Sequence, residues 1–194
     1  MAEIHRIETS RLIIEPASVV DKSGELANAI HEADEFEWYY GIEETEERLK
    51  QININFKGFY NIFDLENIFI GYVGFSREDE DYEIEIYILK EFRGLGYGKE
   101  CLMTMLKEAF EGNIEDTVKE DFSRIISSVK VENVPSRSLM ESCGFLENKE
   151  KGDLCILFRI PDDDEDVALG KPIYLAHYYI TRERFLSLQN HNYE

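Results

Sequence analysis

The chain has 194 residues, of which 43% are hydrophobic and 12% aromatic, so it can form one domain with a sizeable core. Its 41 acidic and 21 basic residues give a formal net charge of -20, which disfavours nucleic acid and anionic membranes as partners. No run of 18 apolar residues occurs and the first ten residues are largely polar, so we expect a soluble, cytoplasmic protein.

Seven strands and four helices are expected along the chain. In chain order they are a strand at 12–14, helices at 19–32 and 45–53, strands at 59–64, 68–75 and 82–89, a helix at 99–111, a strand at 124–131, a helix at 135–143, and strands at 154–160 and 173–180. This mixed order predicts an α/β three-layer domain with a mixed sheet. No internal repeat or Pro/Gly/Ser-rich linker suggests a domain boundary, so we expect one domain over residues 1–194.

Several residues mark where these elements should begin and end. Pro16 should stop the first strand, and Asp21 or Ser18 could cap the first helix. Thr45 is placed to cap the second helix. Residues 65–67 should connect a β-hairpin, and residues 76–81 should form a charged turn. Pro135 can occupy the first turn of its helix, and Gly144 can follow the last one.

Residues 82–111 combine a strand, a glycine-rich turn and a helix. In the strand, Glu83, Glu85 and Tyr87 should lie on one face, with Ile84, Ile86 and Ile88 on the other. The helix carries apolar residues at helical spacing: Leu102, Met103, Met105, Leu106, Ala109 and Phe110. A helix start after a glycine turn offers unpaired N–H groups to an anion. The turn matches neither the P-loop nor the G-x-G-x-x-G spacing, and a plain structural turn is the alternative.

Two motifs resemble the GNAT superfamily of N-acetyltransferases. The Arg-x-x-Gly-x-Gly turn at residues 93–98 resembles its acetyl-CoA pyrophosphate loop, and residues 133–145 resemble its N-x-x-[AS]-x-x-[LV]-x-x-x-x-G-F pattern. Residues 8–14 and 177–185 are similar to the first and last segments of the ribosomal-protein N-acetyltransferase-like subgroup. The likeness spans nearly the whole chain.

The resemblance implies a fold and a set of cofactor contacts. It implies a single GNAT-like three-layer α/β (α+β) domain, with a mixed, mostly antiparallel sheet of about seven strands, about four helices and an acidic loop insertion around residues 161–170. It also implies that acetyl-CoA is the cosubstrate. The residues that would bind it are Ile86, Tyr87, Ile88, Arg93, Gly94, Leu95, Gly96, Tyr97, Gly98, Asn133 and Ser136. A cap for the following helix is the simpler role for Asn133.

The catalytic groups are less well marked by the sequence. Met140 stands where many superfamily members have a Tyr that protonates the leaving thiolate, so the acid would be Ser136, Ser138, a water or absent. A thiol with a pKa of about 8.5 makes that acid dispensable. Glu83 and Glu85 are the candidate bases for attack by an amine, and Glu83 is preferred by resemblance. A β-bulge would decide whether they face the cleft, and both could simply be solvated.

Acidic side chains are concentrated in three segments: eight within residues 31–47, six within residues 76–85, and five in a row at residues 162–166. The first two fall on segments that wall the acceptor cleft in the family that the chain resembles. We therefore expect a cationic acceptor, either a small-molecule amine or a basic protein N-terminus, with Trp38, Tyr39 and Tyr40 packing on it or serving as core.

The sequence leaves two other classes of function open. A catalytically silent acyl-CoA-binding regulatory module is the main alternative, which Met140 keeps open, and an acidic mimic of nucleic acid is a more remote one. We expect a monomer or a homodimer. The three cysteines, Cys101, Cys143 and Cys155, and the four dispersed histidines lack metal-ligand spacing, so we expect reduced thiols and no metal.

Overall fold

A computed structural model describes residues 6–33, 42–55, 58–78, 81–114, 123–150, 154–156, 159–160, 168–169 and 173–190. The chain divides into two compact units, Met1–Phe122 and Ser123–Glu194. Both contain helices and strands, and the predicted mixed α/β class is confirmed. That one acetyltransferase domain extends over residues 1–194 stays a prediction.

The first unit contains an antiparallel sheet whose described strands follow one another in chain order. They are β1 Ile7–Glu8, β2 Leu12–Pro16, β3 Phe59–Asp64, β4 Phe69–Glu78 and β5 Asp81–Ile88. The described helices are α1 Ser23–Ala33, α2 Ile42–Asn55 and α3 Tyr97–Glu111. Short connections join β1 to β2, β3 to β4 and β4 to β5, which favours antiparallel pairing, whereas α1 and α2 lie between β2 and β3.

The core of this unit lies on both faces of the sheet. On one face, Leu26 and Ile30 of α1 pack with Ile13 and Tyr87. Side chains alternate along a strand, so Leu12, Ile14 and Ile84, all fully buried, point to the opposite face. Helix α3 packs against β2 and β5 and buries Cys101, Leu102, Met105, Leu106, Ala109 and Phe110, which confirms the predicted helical spacing.

Three predicted boundaries in this unit are wrong. Helix α1 begins at Ser23 and not at residue 19, and Asp21 Oδ1 accepts a hydrogen bond from the Ser23 N–H at 3.0 Å. Helix α2 begins at Ile42, so Thr45 is no cap but a buried helical residue whose Oγ1 lies 3.0 Å from His31 Nε2. The expected charged turn at residues 76–81 is shorter, because β4 continues to Glu78 and pairs it with Asp81. The predicted hairpin is confirmed, and Asn67 takes the left-handed conformation in its turn.

The second unit is built around a central antiparallel strand. Its described elements are β6 Arg124–Lys130, α4 Val134–Ser142, β7 Leu146–Glu147, β8 Leu154–Ile156, β9 Arg159–Ile160, β10 Ala168–Leu169, β11 Ile173–Thr181 and α5 Arg182–Asn190. Strand β11 pairs with β6 along one edge and with β7 and β8 along the other, while β9 pairs with β10.

The sequence missed some detail in this unit. The strand expected at 154–160 is two short strands, because β8 pairs with β11 and β9 with β10. Helix α5 was not expected, although Thr181 marks its start by accepting a hydrogen bond from the Arg184 N–H at 3.2 Å. The described residues therefore contain five helices and more strands than the seven expected. Helix α4 confirms the predicted roles of Pro135 and Gly144, the latter at φ 93°.

Candidate active site

The glycine-rich turn joins β5 to α3 through two left-handed glycines. A single 3₁₀ turn, Lys90–Phe92, follows the strand. Gly94 then adopts φ 75°, and Gly96 adopts φ 84° as the residue that caps α3. An L side chain is disfavoured at such angles, so glycine at these positions lets the chain reverse sharply between strand and helix.

The turn and the start of α3 contain several backbone N–H groups that have no acceptor among the described residues. Within the described residues, no protein acceptor bonds the N–H groups of residues 94–99, and the first bonded one is Glu100 N, 3.1 Å from Gly96 O. Residues 94–96 are exposed, and a Cβ built on Gly94 would meet nothing within 4 Å. Open N–H groups at the positive end of a 15-residue helix are suited to an anion.

The side chain of Arg93 turns back onto the strand. Its Nε donates to Ile88 O at 2.7 Å, and its guanidinium lies 5.2 Å from the centre of the Tyr87 ring. Arg93 thus ties the start of the turn to the end of β5. That Ile86 to Ile88 and residues 93–98 contact the cofactor stays a prediction.

Strand β5 carries the two candidate bases on one face. Its register with β4 is unbroken from Gly71, opposite Ile88, to Glu78, opposite Asp81. The irregular step lies elsewhere, between Ile62 and Phe63 in the pairing of β3 with β4. The β4–β5 pairing therefore keeps Glu83, Glu85 and Tyr87 on one face, as the alternation predicts.

Glu85 is held by Tyr72, a residue that the sequence gave no reason to choose before the register was known. Tyr72 lies opposite Tyr87, and its hydroxyl donates to Glu85 Oε2 at 3.2 Å. Opposite Glu85 itself stands Gly74, which has no side chain to cover the carboxylate. A Cβ built on Gly74 would lie 2.4 Å from the Phe59 ring, so the Phe59 side chain already occupies the space beside Gly74.

The surroundings of Glu85 change its chemistry. Burial raises the pKa of the Glu85 carboxyl, the Tyr72 hydrogen bond partly offsets this, and the charge of Glu83 adds to it. By its accessible surface, however, Glu85 is exposed. Protein atoms thus surround much of the carboxyl group, while solvent still reaches it. Burial, then the charge of Glu85, also raises the pKa of Tyr72 well above its ordinary value, so this hydroxyl keeps its proton.

An aromatic row lines the same face. The rings of Phe59 and Tyr72 stack with centres 6.2 Å apart, and those of Tyr72 and Tyr87 stack at 6.4 Å. Cross-strand aromatic pairs of this kind stabilise a sheet by up to about 1 kcal/mol each. Phe59 and Tyr87 are buried, and only Tyr72 of the three is partly exposed.

The remaining predicted site residues belong to the second unit. Asn133 caps α4, with its Oδ1 accepting from the Ser136 N–H at 3.1 Å, which confirms the predicted capping role. Ser136 is half-buried and Ser138 is exposed. Met140 is 3% exposed and belongs to the core, so it packs and takes no part in proton transfer.

Other sequence predictions lie partly outside the described residues. Outside them lie the aromatic cluster of Trp38, Tyr39 and Tyr40, the acidic run at residues 162–166, residues 34–41 of the acidic segment at 31–47, and residues 79–80 of the one at 76–85. In the described part of the chain, no three His, Cys, Asp or Glu side chains are grouped as metal ligands would be. The helices described are too short or too polar to cross a membrane.

Comparison with solved structures identifies the fold. An acetyltransferase (GNAT family) from Bacillus anthracis superimposes with a TM-score of 0.67 at 19% identity, over 92% of this chain and 99% of that one. A structure from Vibrio cholerae assigned as a ribosomal-protein-serine acetyltransferase gives 0.65 at 18% identity, over 93% and 99%. The spermidine N-acetyltransferase from Vibrio cholerae, in complex with CoA and spermine, gives 0.60 at 19% identity, over 92% and 99%.

Sequence comparison assigns the family. A search of curated proteins gave no significant match. The model of the acetyltransferase (GNAT) domain, in contrast, matches residues 11–146, a span that includes the glycine turn, both candidate bases and helix α4. The chain therefore belongs to the GNAT family of acetyltransferases.

Proposed function

We propose that the protein transfers an acetyl group from acetyl-CoA to a primary amine by direct attack of the amine. The observation that carries this proposal is the row of open N–H groups at residues 94–99, at the start of α3. A pyrophosphate offers acceptor oxygens and negative charge, which these N–H groups and the helix dipole both favour. Open space beside Gly94 lets such a group approach the backbone closely.

The fit extends from the turn to the strand. Acetyl-CoA would supply the activated acetyl thioester. Residues 86–88 of β5 lead directly into the turn and could hold its pantetheine arm by backbone hydrogen bonds, much as another strand would be held. Asn133 and Ser136, predicted as further contacts, remain predictions.

The acceptor amine must lose a proton before it attacks. At pH 7 an amine with a pKa of about 10.4 is neutral in only roughly 1 molecule in 2500, so a base beside it has a large effect. An α-amino group, with a pKa of about 7.7–8.0, needs less help. The protein therefore needs a carboxylate at the acceptor side of the strand, chiefly for lysine-like or polyamine substrates.

Glu85 meets the requirement for this base better than Glu83, which resemblance favours. It is open to solvent, receives a hydrogen bond from Tyr72 and has a raised pKa. A carboxylate with a raised pKa accepts a proton more readily than an ordinary one. Glu83 is its neighbour on the same face and contributes charge. We assign Glu85 as the base and Glu83 as an electrostatic contributor.

The surroundings of Glu85 also suit a cationic acceptor. Two carboxylates, Glu83 and Glu85, and the partly exposed ring of Tyr72 attract positive charge. The net charge of -20 adds a long-range negative potential, which also attracts cations. Structural neighbours include the spermidine N-acetyltransferase in complex with CoA and spermine, which makes polyamines the first acceptors to test.

A thiol-release assay with acetyl-CoA tests this function. The amine panel would contain spermidine, spermine and a basic peptide N-terminus, with neutral and anionic amines for comparison. We expect turnover with the cationic amines and a large loss in Glu85→Gln, with a smaller loss in Glu83→Gln. Equal rates across the panel would contradict the cationic preference.

The same assay separates the enzyme from a silent module. The buried Met140 leaves no side-chain acid at the position where many superfamily members have a Tyr, so a module that binds acetyl-CoA without turnover is the second candidate. Binding of acetyl-CoA by calorimetry, combined with no thiol release for any amine, would favour that candidate. Absence of binding would refute both.

A further inference from the structure

One sequence signature has no role in the function proposed above. Residues 8–14 resemble the opening of an acetyltransferase subgroup, yet they lie 79 to 90 positions from the glycine turn at residues 93–98. In the structure, residues 9–12 form a tight turn between β1 and β2. The Thr9 N–H donates to Leu12 O at 2.9 Å, and the Leu12 N–H donates to Thr9 Oγ1 at 2.9 Å.

The residues of this turn donate hydrogen bonds to the carboxylate of Glu100, which lies in the first turn of α3. Glu100 Oε1 accepts hydrogen bonds from Thr9 Oγ1 at 2.6 Å, from the Arg11 N–H at 3.2 Å and from Ser10 Oγ at 3.3 Å. Its Oε2 accepts from Arg11 Nε and Nη2, both at 2.6 Å. One carboxylate therefore receives five donors from three consecutive residues.

Arg11 also reaches the glycine turn itself. Its Nη1 donates to Leu95 O at 2.9 Å, and its guanidinium lies 4.9 Å from the centre of the Tyr97 ring. A Cβ built on Gly96 would lie 3.4 Å from Arg11 Nη2. Arg11 thus contacts the turn on the carbonyl side, which leaves the N–H groups of residues 94–99 open.

A free carboxylate at this position would oppose anion binding. Glu100 lies in the first helical turn, where its negative charge would be attracted to the same N–H groups and would repel a phosphate. Although burial opposes it, hydrogen bonds from Thr9 and Arg11 lower the pKa of Glu100, so the carboxylate stays charged at neutral pH. For an anion to bind, the charge of Glu100 must be neutralised and its side chain must be held away from the N–H groups of residues 94–99.

We propose that Thr9, Arg11 and Glu100 form a clasp that positions the pyrophosphate loop for coenzyme A. Arg11 neutralises Glu100 and fixes the Leu95 carbonyl, while Thr9 holds the carboxylate away from the start of α3. This inference rests on the proposed function, since it assigns coenzyme A to the turn. The three are positioning residues, because they act through the backbone of residues 94–99.

The chain offers a matched control for this clasp. Arg6 forms an ion pair with Glu15 at 2.9 Å, and the two side chains are 43% and 17% exposed. The Arg11–Glu100 pair has nearly the same exposures, 45% and 17%. Arg6 contacts Glu8 and Glu15, so Arg6→Ala removes a comparable ion pair away from the turn.

The test measures coenzyme A binding by calorimetry and thermal unfolding for the wild type, Arg11→Ala, Arg11→Ala/Glu100→Gln and Arg6→Ala. We expect Arg11→Ala to weaken coenzyme A about tenfold, as the loss of a charge-assisted hydrogen bond would. The double variant should recover part of this affinity, because the uncompensated carboxylate is gone. Arg6→Ala should bind coenzyme A as the wild type does.

A donor without a pyrophosphate provides a second measurement. For S-acetylpantetheine, kcat/KM should be unchanged in Arg11→Ala, whereas for acetyl-CoA KM should rise and kcat should hold. Equal weakening with both donors, no weakening of coenzyme A, or no recovery in the double variant would overturn the clasp. A wild type that does not bind coenzyme A would instead refute the proposed function, and the clasp with it. If the wild type binds coenzyme A without turnover, the comparison of coenzyme A affinities among the wild type and the three variants still decides whether the clasp exists.

Discussion

The two ends of α3 allow the anion site to be tested with backbone strain held constant. Gly96 caps the start of the helix at φ 84°, and Gly112 caps its end at φ 80°. Alanine in this left-handed conformation costs about 1–2 kcal/mol at either position. For a chain of this length each substitution should lower Tm by about 2–8 °C.

The same pair of substitutions should differ sharply in ligand binding. A Cβ on Gly112 would meet nothing within 4 Å, whereas one on Gly96 would lie 3.4 Å from Arg11 Nη2 and beside the open N–H groups. Relaxation of the strain at Gly96 would also turn those N–H groups away. We therefore expect Gly96→Ala to weaken coenzyme A about tenfold, or 1.4 kcal/mol, and Gly112→Ala to leave its affinity unchanged.

Calorimetry with coenzyme A and thermal unfolding of the three proteins would measure both effects. Gly96→Glu extends the series, because a carboxylate at the start of α3 should exclude the pyrophosphate altogether. Equal coenzyme A affinity in Gly96→Ala, Gly112→Ala and the wild type would refute the assignment of the turn to the pyrophosphate. Equal losses of coenzyme A affinity in Gly96→Ala and Gly112→Ala would show that a less stable helix causes the weaker binding.

Three further predictions address the base and the cap. The raised pKa of Glu85 means that its neutral form favours folding and that this stability is lost as pH rises through that pKa. Glu85→Gln should therefore raise Tm at pH 7–8 while kcat/KM falls, and a lower Tm would contradict the raised pKa. Tyr72→Phe removes a hydrogen bond that lowers the same pKa, so the acidic limb of the kcat/KM profile should move to higher pH; an unmoved limb would argue against Glu85 as the base. Asn133→Ala should destabilise the fold by about 1 kcal/mol through loss of the cap, whereas Asn133→Ser should keep the cap without adding charge. Weaker coenzyme A binding in Asn133→Ser would show that the Asn133 amide also contacts the ligand, and unchanged binding that it is a cap.

Features governed by local geometry were predicted well from the sequence. Strand alternation placed Glu83, Glu85 and Tyr87 on one face, and the apolar spacing of α3 gave its buried face. The glycines marked the turn, because left-handed angles are a property of single residues. Each of these rules depends on residues a few positions apart, so one sequence is enough to apply it.

Features governed by packing were missed or misplaced. Thr45 has a side chain that is typical of a helix cap. The helix nevertheless starts three residues earlier, at Ile42, and Thr45 contacts His31 from within it. Helix α5 was not predicted because it is mostly polar and, among its described side chains, buries Phe185 alone. Propensity and periodicity are weak where a short element gains its stability from its neighbours.

The chemistry of the candidate site divides in the same way. The sequence by itself determined that a glycine turn follows a strand bearing two carboxylates, and so pointed to an anion site and a base. Tertiary structure decided which carboxylate Tyr72 contacts, because that depends on the register of β4 against β5. It also decided that Arg11 and Thr9 hold Glu100, 89 and 91 positions away. Contacts across such separations follow from how the strands and helices pack, and no local pattern in the chain encodes them.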